Sequence, residues 1–269
     1  MKTDNYLVRP GSAVDLARVP TDHPEIHKND KGAALTKLAT LTGRLVELQN
    51  LLFAQGKHRV LVVLQATDTG GKDGVIRGVF GPLNPQGVRV ATFKAPTEAE
   101  LAHDYLRRAH MRVPVDGEVV IFNRSHYEAV LIERVQELVT EQQWRARYDH
   151  IRNFERLLTD EGTTIVKLFL HISKDEQRRR LQARLDDPTK HWKFRAGDLL
   201  EREKWDEYQT AYANAIAETS TENAPWYVIP SDQKWFRNLV IARIVVDTLE
   251  SLAMAYPPDP EGLDRIVVT

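Results

Sequence analysis

Cysteine is absent from the 269 residues. Its absence excludes a disulfide framework, a cysteine nucleophile and a thiolate metal site, and it suits a reducing, cytoplasmic setting, which is the expected location. Long hydrophobic runs are missing too, so no segment is expected to cross a bilayer and no membrane partner is expected. Lys2, Asp4 and Arg9 lie at the N-terminus without the apolar stretch of a secretory signal. The chain lacks a Gly/Ser-rich linker, a low-complexity tract and an internal repeat. It also lacks an excess of one charge: 37 Lys+Arg against 38 Asp+Glu leave a net charge of −1. That balance argues against bulk electrostatic binding of nucleic acid and leaves room for a local basic patch. What is present is a 42% hydrophobic fraction beside 28% charged residues. This suffices for a buried core and excludes a disordered or collagen-like chain.

Residues 1–32 mix Pro, Asp, His and Lys without periodicity and read as an irregular arm. Leu35, Leu38, Leu41, Leu45, Leu48 and Leu52 then recur at helical spacing, predicting an amphipathic helix that stops near Gly56. Five short apolar runs follow, at 59–65, 88–93, 118–122, 164–172 and 226–229. Runs of this kind suit strands buried on both faces of a parallel sheet. Helical patterns at 75–80, 98–111, 127–139, 144–158, 175–185, 199–217 and 235–252 lie between and after them. The alternation predicts one three-layer α/β domain over 1–269 with a five-stranded parallel sheet, ending in a loose tail at 255–269.

The first strand runs into Gln65-Ala-Thr-Asp-Thr-Gly-Gly-Lys-Asp-Gly74, and a helix follows. Strand, glycine-rich loop and helix make a phosphate cradle. Gly70 and Gly71 let backbone N–H groups turn to an anion, the helix start adds partial positive charge, and Lys72 adds a full one. Thr69 and Asp73 complete the loop. The match to G-x-x-x-x-G-K-[ST] is imperfect, because Ala66 replaces the first glycine and Asp73 the Ser/Thr. A carboxylate beside a phosphate repels it unless a cation or proton intervenes. Asp68 therefore either binds Mg²⁺ or acts as a general base, whereas Asp73 also reads as a carboxylate at a helix start.

A second strand ends in Phe122-Asn-Arg-Ser-His-Tyr-Glu128. Ligands of parallel α/β sheets bind outside such carboxyl ends. Asn123 can coordinate metal or orient water, and Arg124 can clamp phosphate oxygens. Ser125 reads as a helix cap in a capping-box pattern with Glu128, and His126 as either a substrate contact or part of the capped start. Positive charge concentrates at Lys174, Arg178, Arg179, Arg180, Arg184, Lys190, Lys193 and Arg195. At least one of three consecutive arginines must face the sheet. Many cations after the fourth strand suit a lid, about 174–198, over a substrate with many phosphates. The nine histidines show no metal-ligand spacing.

Together, 65–74, 122–128, Glu176-Gln-Arg-Arg-Arg180 and Asp187-Pro-Thr-Lys-His-Trp-Lys193 closely resemble the polyphosphate kinase 2 family, over about 35–250. The resemblance implies a thymidylate-kinase-like P-loop fold with a helical lid. It also implies reversible transfer of the terminal phosphoryl group of inorganic polyphosphate to nucleoside mono- and diphosphates with Mg²⁺ or Mn²⁺, and a homo-oligomer, for which the 35–52 helix is a candidate interface. The Asn-Arg-Ser-His-Tyr-Glu version is similar to the class III subgroup, which takes AMP and ADP. On this resemblance Asp68, Lys72, Asn123, Arg124 and Arg178 carry catalysis, Arg178 as an in-chain arginine finger. Thr69, Gly70, Gly71, Lys72, Asp73, Arg179, Arg180, Arg184, Lys190 and Lys193 hold polyphosphate. Asp68, Asn123 and Glu128 bind metal, with Glu133 as a substitute because Asn123 stands where many members have Asp. Arg124, His126 and Glu128 meet the nucleotide. The rivals are an ATP-dependent nucleoside-monophosphate kinase and a non-enzymatic polyanion or nucleic-acid binder. Ala66, Asp73 and the cation excess weigh against the first. The second lacks a stacking platform beyond Trp192 and Phe194.

Overall fold

The structure, a computed structural model, describes residues 2–23, 31–195 and 197–268. In chain order the elements are β1 (Leu7–Val8), α1 (Lys31–Gln55), β2 (Arg59–Gln65), α2 (Lys72–Val75), β3 (Val88–Thr92), α3 (Glu98–Leu101), α4 (Arg107–His110), β4 (Val119–Asn123), α5 (Ile132–Val135), α6 (Glu141–Asp160), β5 (Thr163–His171), α7 (Lys174–Leu185), α8 (Gly197–Glu203), α9 (Trp205–Thr219), β6 (Trp226–Pro230) and α10 (Lys234–Ser251). They build a six-stranded sheet in the order β1-β6-β5-β2-β4-β3.

The five expected strands are present and mutually parallel. The sheet is nevertheless mixed and six-stranded, which corrects the five-stranded expectation. Leu7 and Val8 of the supposedly irregular arm pair antiparallel with Tyr227 and Trp226. Two residues are too few to show alternation, so this edge strand left no pattern to read. Residues 24–30 of that arm lie outside the described residues.

β2 shows why the layers form. Val60, Val62 and Leu64 face a core shared with α1 and α10. Leu61 and Val63 face a second core with Tyr148, Ile151 and Phe154 of α6 and Ala211, Tyr212 and Ile216 of α9. Successive side chains of a strand point to opposite faces, so a continuous apolar run must be covered on both sides. Leu41, Leu45, Leu48 and Leu52 of α1 are buried in the first of these cores. The leucine stripe read as a candidate oligomer interface is thus largely consumed inside the chain.

Three expected helices are interrupted. The 98–111 pattern splits into α3 and α4, the 127–139 pattern into a 3₁₀ turn at His126–Val130 and α5, and the 199–217 pattern into α8 and α9. The helix after the phosphate loop begins as α2 and continues as a wider π-type turn over Ile76–Phe80. Among the described residues no helix is long and apolar enough to cross a membrane.

Candidate active site

The carboxyl ends of β2 and β4 open on one cavity of about 870 Å³. The 65–74 loop forms one wall. Gly71 sits at φ 104° with no side-chain cap on the helix it starts, which leaves first-turn N–H groups for an anion. Gly70 is required sterically, since a Cβ there would lie 2.4 Å from the Ala66 Cβ. α7 grips the other side of the loop. Gln177 Nε2 donates to the Asp68 carbonyl at 3.1 Å, and Arg180 Nη1 donates to the Thr69 and Gly70 carbonyls at 3.0 Å.

Lys72 Nζ curls back to donate to the Ala66 carbonyl at 3.0 Å. Burial, reinforced by the Arg124 charge, lowers its pKa to about 8. Arg124 follows β4 with φ 61°, and Thr69 in the facing loop has the same φ. Left-handed backbone is uncommon for such residues and concentrates at functional sites. The Arg124 guanidinium is held by Asp68 at 3.1 Å and by Glu128 at 3.4 Å. Asn123 Nδ2 donates to Asp73 Oδ1 at 3.0 Å, so the amide oxygen of Asn123 is left as an acceptor. Asp68, Asp73, Asn123 and Arg124 all line the cavity. Ser125 caps the following turn, accepting from the Tyr127 N–H rather than completing a capping box.

The structure does not bring every expected residue here. His126 is 3% exposed, packed against Tyr127 and Phe154, with Nε2 3.4 Å from Glu155 Oε1. Its ring belongs to the core, which corrects its placement as a nucleotide contact. Glu128 holds Arg124 from outside the cavity lining, and Glu133 pairs with Arg147 at 2.6 Å. Arg178 and Arg179 point to solvent, 70% and 66% exposed, beside Asp175 and Glu176. Arg180 is the arginine that faces inward, but its five N–H donors go to Glu176 and to four backbone carbonyls. It braces the loop and keeps no donor for a ligand.

Arg184, Lys190 and Lys193 do line the cavity, with Trp192 exposed beside them. Lys190 pairs with Asp187 at 2.5 Å, and that ammonium with the Thr189 hydroxyl holds the Asp187 carboxyl down at about 2. The lining also contains Arg77, Lys94, Arg195, Lys234 and Arg237, of which only Arg195 fell within the basic segment read from the sequence. Lys234 and Arg237 come from α10, far along the chain. Their signal was an arginine on an otherwise apolar helix face, beside Phe236, Val240 and Ile241. Among the described residues the lining carries eleven Lys and Arg side chains against three aspartates. No group of three or more His, Cys, Asp or Glu side chains is placed to hold a metal by itself among them.

An uncapped loop-to-helix turn and a cation-rich cleft at the carboxyl ends of the parallel strands define an α/β protein with a cleft suited to a phosphorylated ligand. The family profile named polyphosphate kinase 2 matches residues 28–256, and the chain belongs to that family. It is 59% identical to the AMP/ADP-polyphosphate phosphotransferase of Meiothermus ruber, over 98% of each chain. It is 44% identical to the ADP-polyphosphate phosphotransferase of Rhodopseudomonas palustris, over 96% of this chain and 93% of that one. The crystal structure of polyphosphate kinase 2 from Arthrobacter aurescens matches with a TM-score of 0.91 at 44% identity, covering 96% of this chain and 92% of that one.

Proposed function

We propose that the protein moves the terminal phosphoryl group of inorganic polyphosphate to AMP and ADP, forming ADP and ATP, reversibly. The observation that carries this reading is the cation surplus of the cavity in a chain of net charge −1. One nucleotide does not call for so many cations, whereas a chain of phosphates does. The family membership supports it independently.

In the forward reaction a terminal phosphate oxygen of the nucleotide attacks the end phosphorus of the chain. A new P–O bond forms, the neighbouring anhydride bond breaks, and polyphosphate leaves one unit shorter. The protein has little covalent chemistry to perform, so positioning and charge neutralisation dominate. Lys72 and Arg124 flank the loop where that charge builds up, and Asp68 and Glu128 keep Arg124 aimed. Phosphate oxygens of a nucleotide are largely ionised at neutral pH, which favours a charge-holding role for Asp68 over a base. The residues fit Mg²⁺ or Mn²⁺: the donors at the loop are all hard oxygens, from Asp68, Asp73 and the amide oxygen that Asn123 leaves free. Mg²⁺ ordinarily takes one or two carboxylates plus substrate phosphates and water. When bound it would neutralise charge on the transferring group. Arg184, Lys190, Lys193 and Arg195 form the lid side of the polyphosphate track, and the architecture is read as a thymidylate-kinase-like P-loop fold.

The test is product chromatography after incubating the protein with Mg²⁺, polyphosphate and either AMP or ADP, without ATP. ADP and ATP are expected. ATP from ADP with no use of AMP would remove only the AMP assignment. No product from either, with folded protein, would overturn the reading and return the ATP-dependent kinase to favour.

A further inference from the structure

Arg237 is 2% exposed, yet its guanidinium reaches the cavity wall. It lies directly beneath the phosphate loop. A Cβ at Gly71 would stand 2.1 Å from its Nη1, and one at Gly74 3.1 Å from its Nη2. The guanidinium therefore occupies the space that those two glycines leave.

Its hydrogen bonding is one-sided. Nε and Nη2 both donate to Asn238 Oδ1, at 3.1 and 2.9 Å. Among the described residues Nη1 has no acceptor and no carboxylate forms an ion pair with the group. The charge that acts on it is another cation, Arg180, whose Nη1 would lie 3.4 Å from the same Cβ at Gly71. Arg180 has Glu176 as its acid, and Arg179 shares that same acid. Burial and the Arg180 charge bring the Arg237 pKa down to about 10, still well above neutrality, so the cation persists. A buried charge without a counter-charge is strongly unfavourable. Here the cation is aimed at an anion cradle.

We propose that Arg237 is a phosphate-binding residue, whose Nη1 edge meets a phosphate oxygen of the polyphosphate chain at the floor of the loop. The inference rests on the reading of the cavity as the polyphosphate site. An arginine suits the position because a flat fork fits between Gly71 and Gly74, with one edge anchored on Asn238 and the other free. A lysine would bring a point charge without that second edge. In this arrangement the ligand supplies the charge that the fold withholds, and binding stabilises the native state accordingly.

The experiment compares wild type, Arg237→Met and Arg237→Lys by thermal melting with and without inorganic tripolyphosphate, and by KM for polyphosphate and for AMP. Arg237→Met should melt, without anion, at or above the wild-type temperature. It should lose most of the tripolyphosphate-induced rise, and its polyphosphate KM should increase about ten- to a hundredfold, the range for a charge-assisted hydrogen bond. The AMP KM should change much less. Arg237→Lys should recover part of both losses. A full tripolyphosphate response and an unchanged polyphosphate KM in Arg237→Met would overturn the assignment. Should that variant fail to fold, Arg237→Lys decides: a raised polyphosphate KM supports the role, and a wild-type KM overturns it. If wild type itself gains nothing from tripolyphosphate, the polyphosphate reading of the cavity fails, and the role of Arg237 with it.

Discussion

Lys167 and Arg237 are both buried cations, and the fold treats them in opposite ways. Lys167 is 0% exposed in the middle of β5. Its Nζ donates to Glu155 Oε2 at 2.6 Å, to Tyr127 Oη at 3.0 Å and to the Thr219 carbonyl at 2.7 Å. Tyr127 in turn donates to Glu155 at 2.8 Å. Burial acts to raise the Glu155 carboxyl, but the Lys167 charge and the His126 contact win and hold it below the usual range. Arg237 has an amide for company and no acid. The difference separates two uses of charge. In the core, a cation of β5 is fully satisfied and ties α6, α9 and the 3₁₀ turn after β4 together beneath the 122–128 motif. At the cavity, the lining cations outnumber the aspartates among them and Arg237 has no acid at all, and by the proposal above an anionic ligand makes up the difference.

The largest expected effect lies in the core. Lys167→Met leaves Glu155 buried without its partner, and unfolding free energy should fall by about 3–5 kcal/mol, read from a urea or thermal melt. Turnover per folded molecule should suffer less than the fold does. A variant as stable as wild type would break the comparison.

Lys72→Ala should do the reverse. The melt should stay near wild type, because the side chain faces an anion cradle and its one hydrogen bond is to a loop carbonyl. Turnover should fall about a hundredfold or more, the scale of losing a preorganised charge contact in a transition state. Near-normal turnover in a folded variant would remove Lys72 from the phosphate site.

A smaller effect sharpens the same point through pH. With a pKa near 8 in the free protein, Lys72 is charged below that value and largely neutral above it. A bound polyanion favours the charged form. Tripolyphosphate affinity should therefore be level below pH 8 and should weaken as pH rises above it, by up to about tenfold per unit. In that upper range binding should take up protons, which calorimetry in buffers of different ionisation enthalpy detects. Constant affinity up to pH about 9.5 would show that the Lys72 charge is not coupled to the ligand.

Much of the architecture was legible because its signals are local. The β2 run, the α1 leucines and the 65–74 loop each state their conformation within a few residues, and Asp68, Lys72, Asn123 and Arg124 follow from strand ends that open on the cavity. What escaped depends on packing. The β1 edge strand has two residues and no periodicity. The 127–139 helical pattern was real in hydrophobicity, but Ser125 capping and the Arg124–Glu128 pair accompany a 3₁₀ turn at its start. His126 carried a motif position and a polar ring, yet Phe154 and Glu155 of α6 claim it for the core. Three consecutive arginines looked equivalent on paper, and the rotation of α7 sends Arg178 and Arg179 outward and Arg180 onto the loop carbonyls. Arg237 became a site residue only when α10 was laid behind the loop.

The central claim is that the cation surplus of the cavity meets a polyanion. Its most direct measurement is the salt dependence of tripolyphosphate binding to the wild-type protein, set beside that of AMP, between about 0.05 and 0.3 M KCl, where the screening length shortens from about 14 to about 6 Å. The account predicts that the tripolyphosphate Kd rises steeply with salt while the AMP Kd rises much less. Equal, shallow slopes for the two ligands would contradict it, because a ligand held by many partly exposed charge contacts must respond to screening more than one held by few.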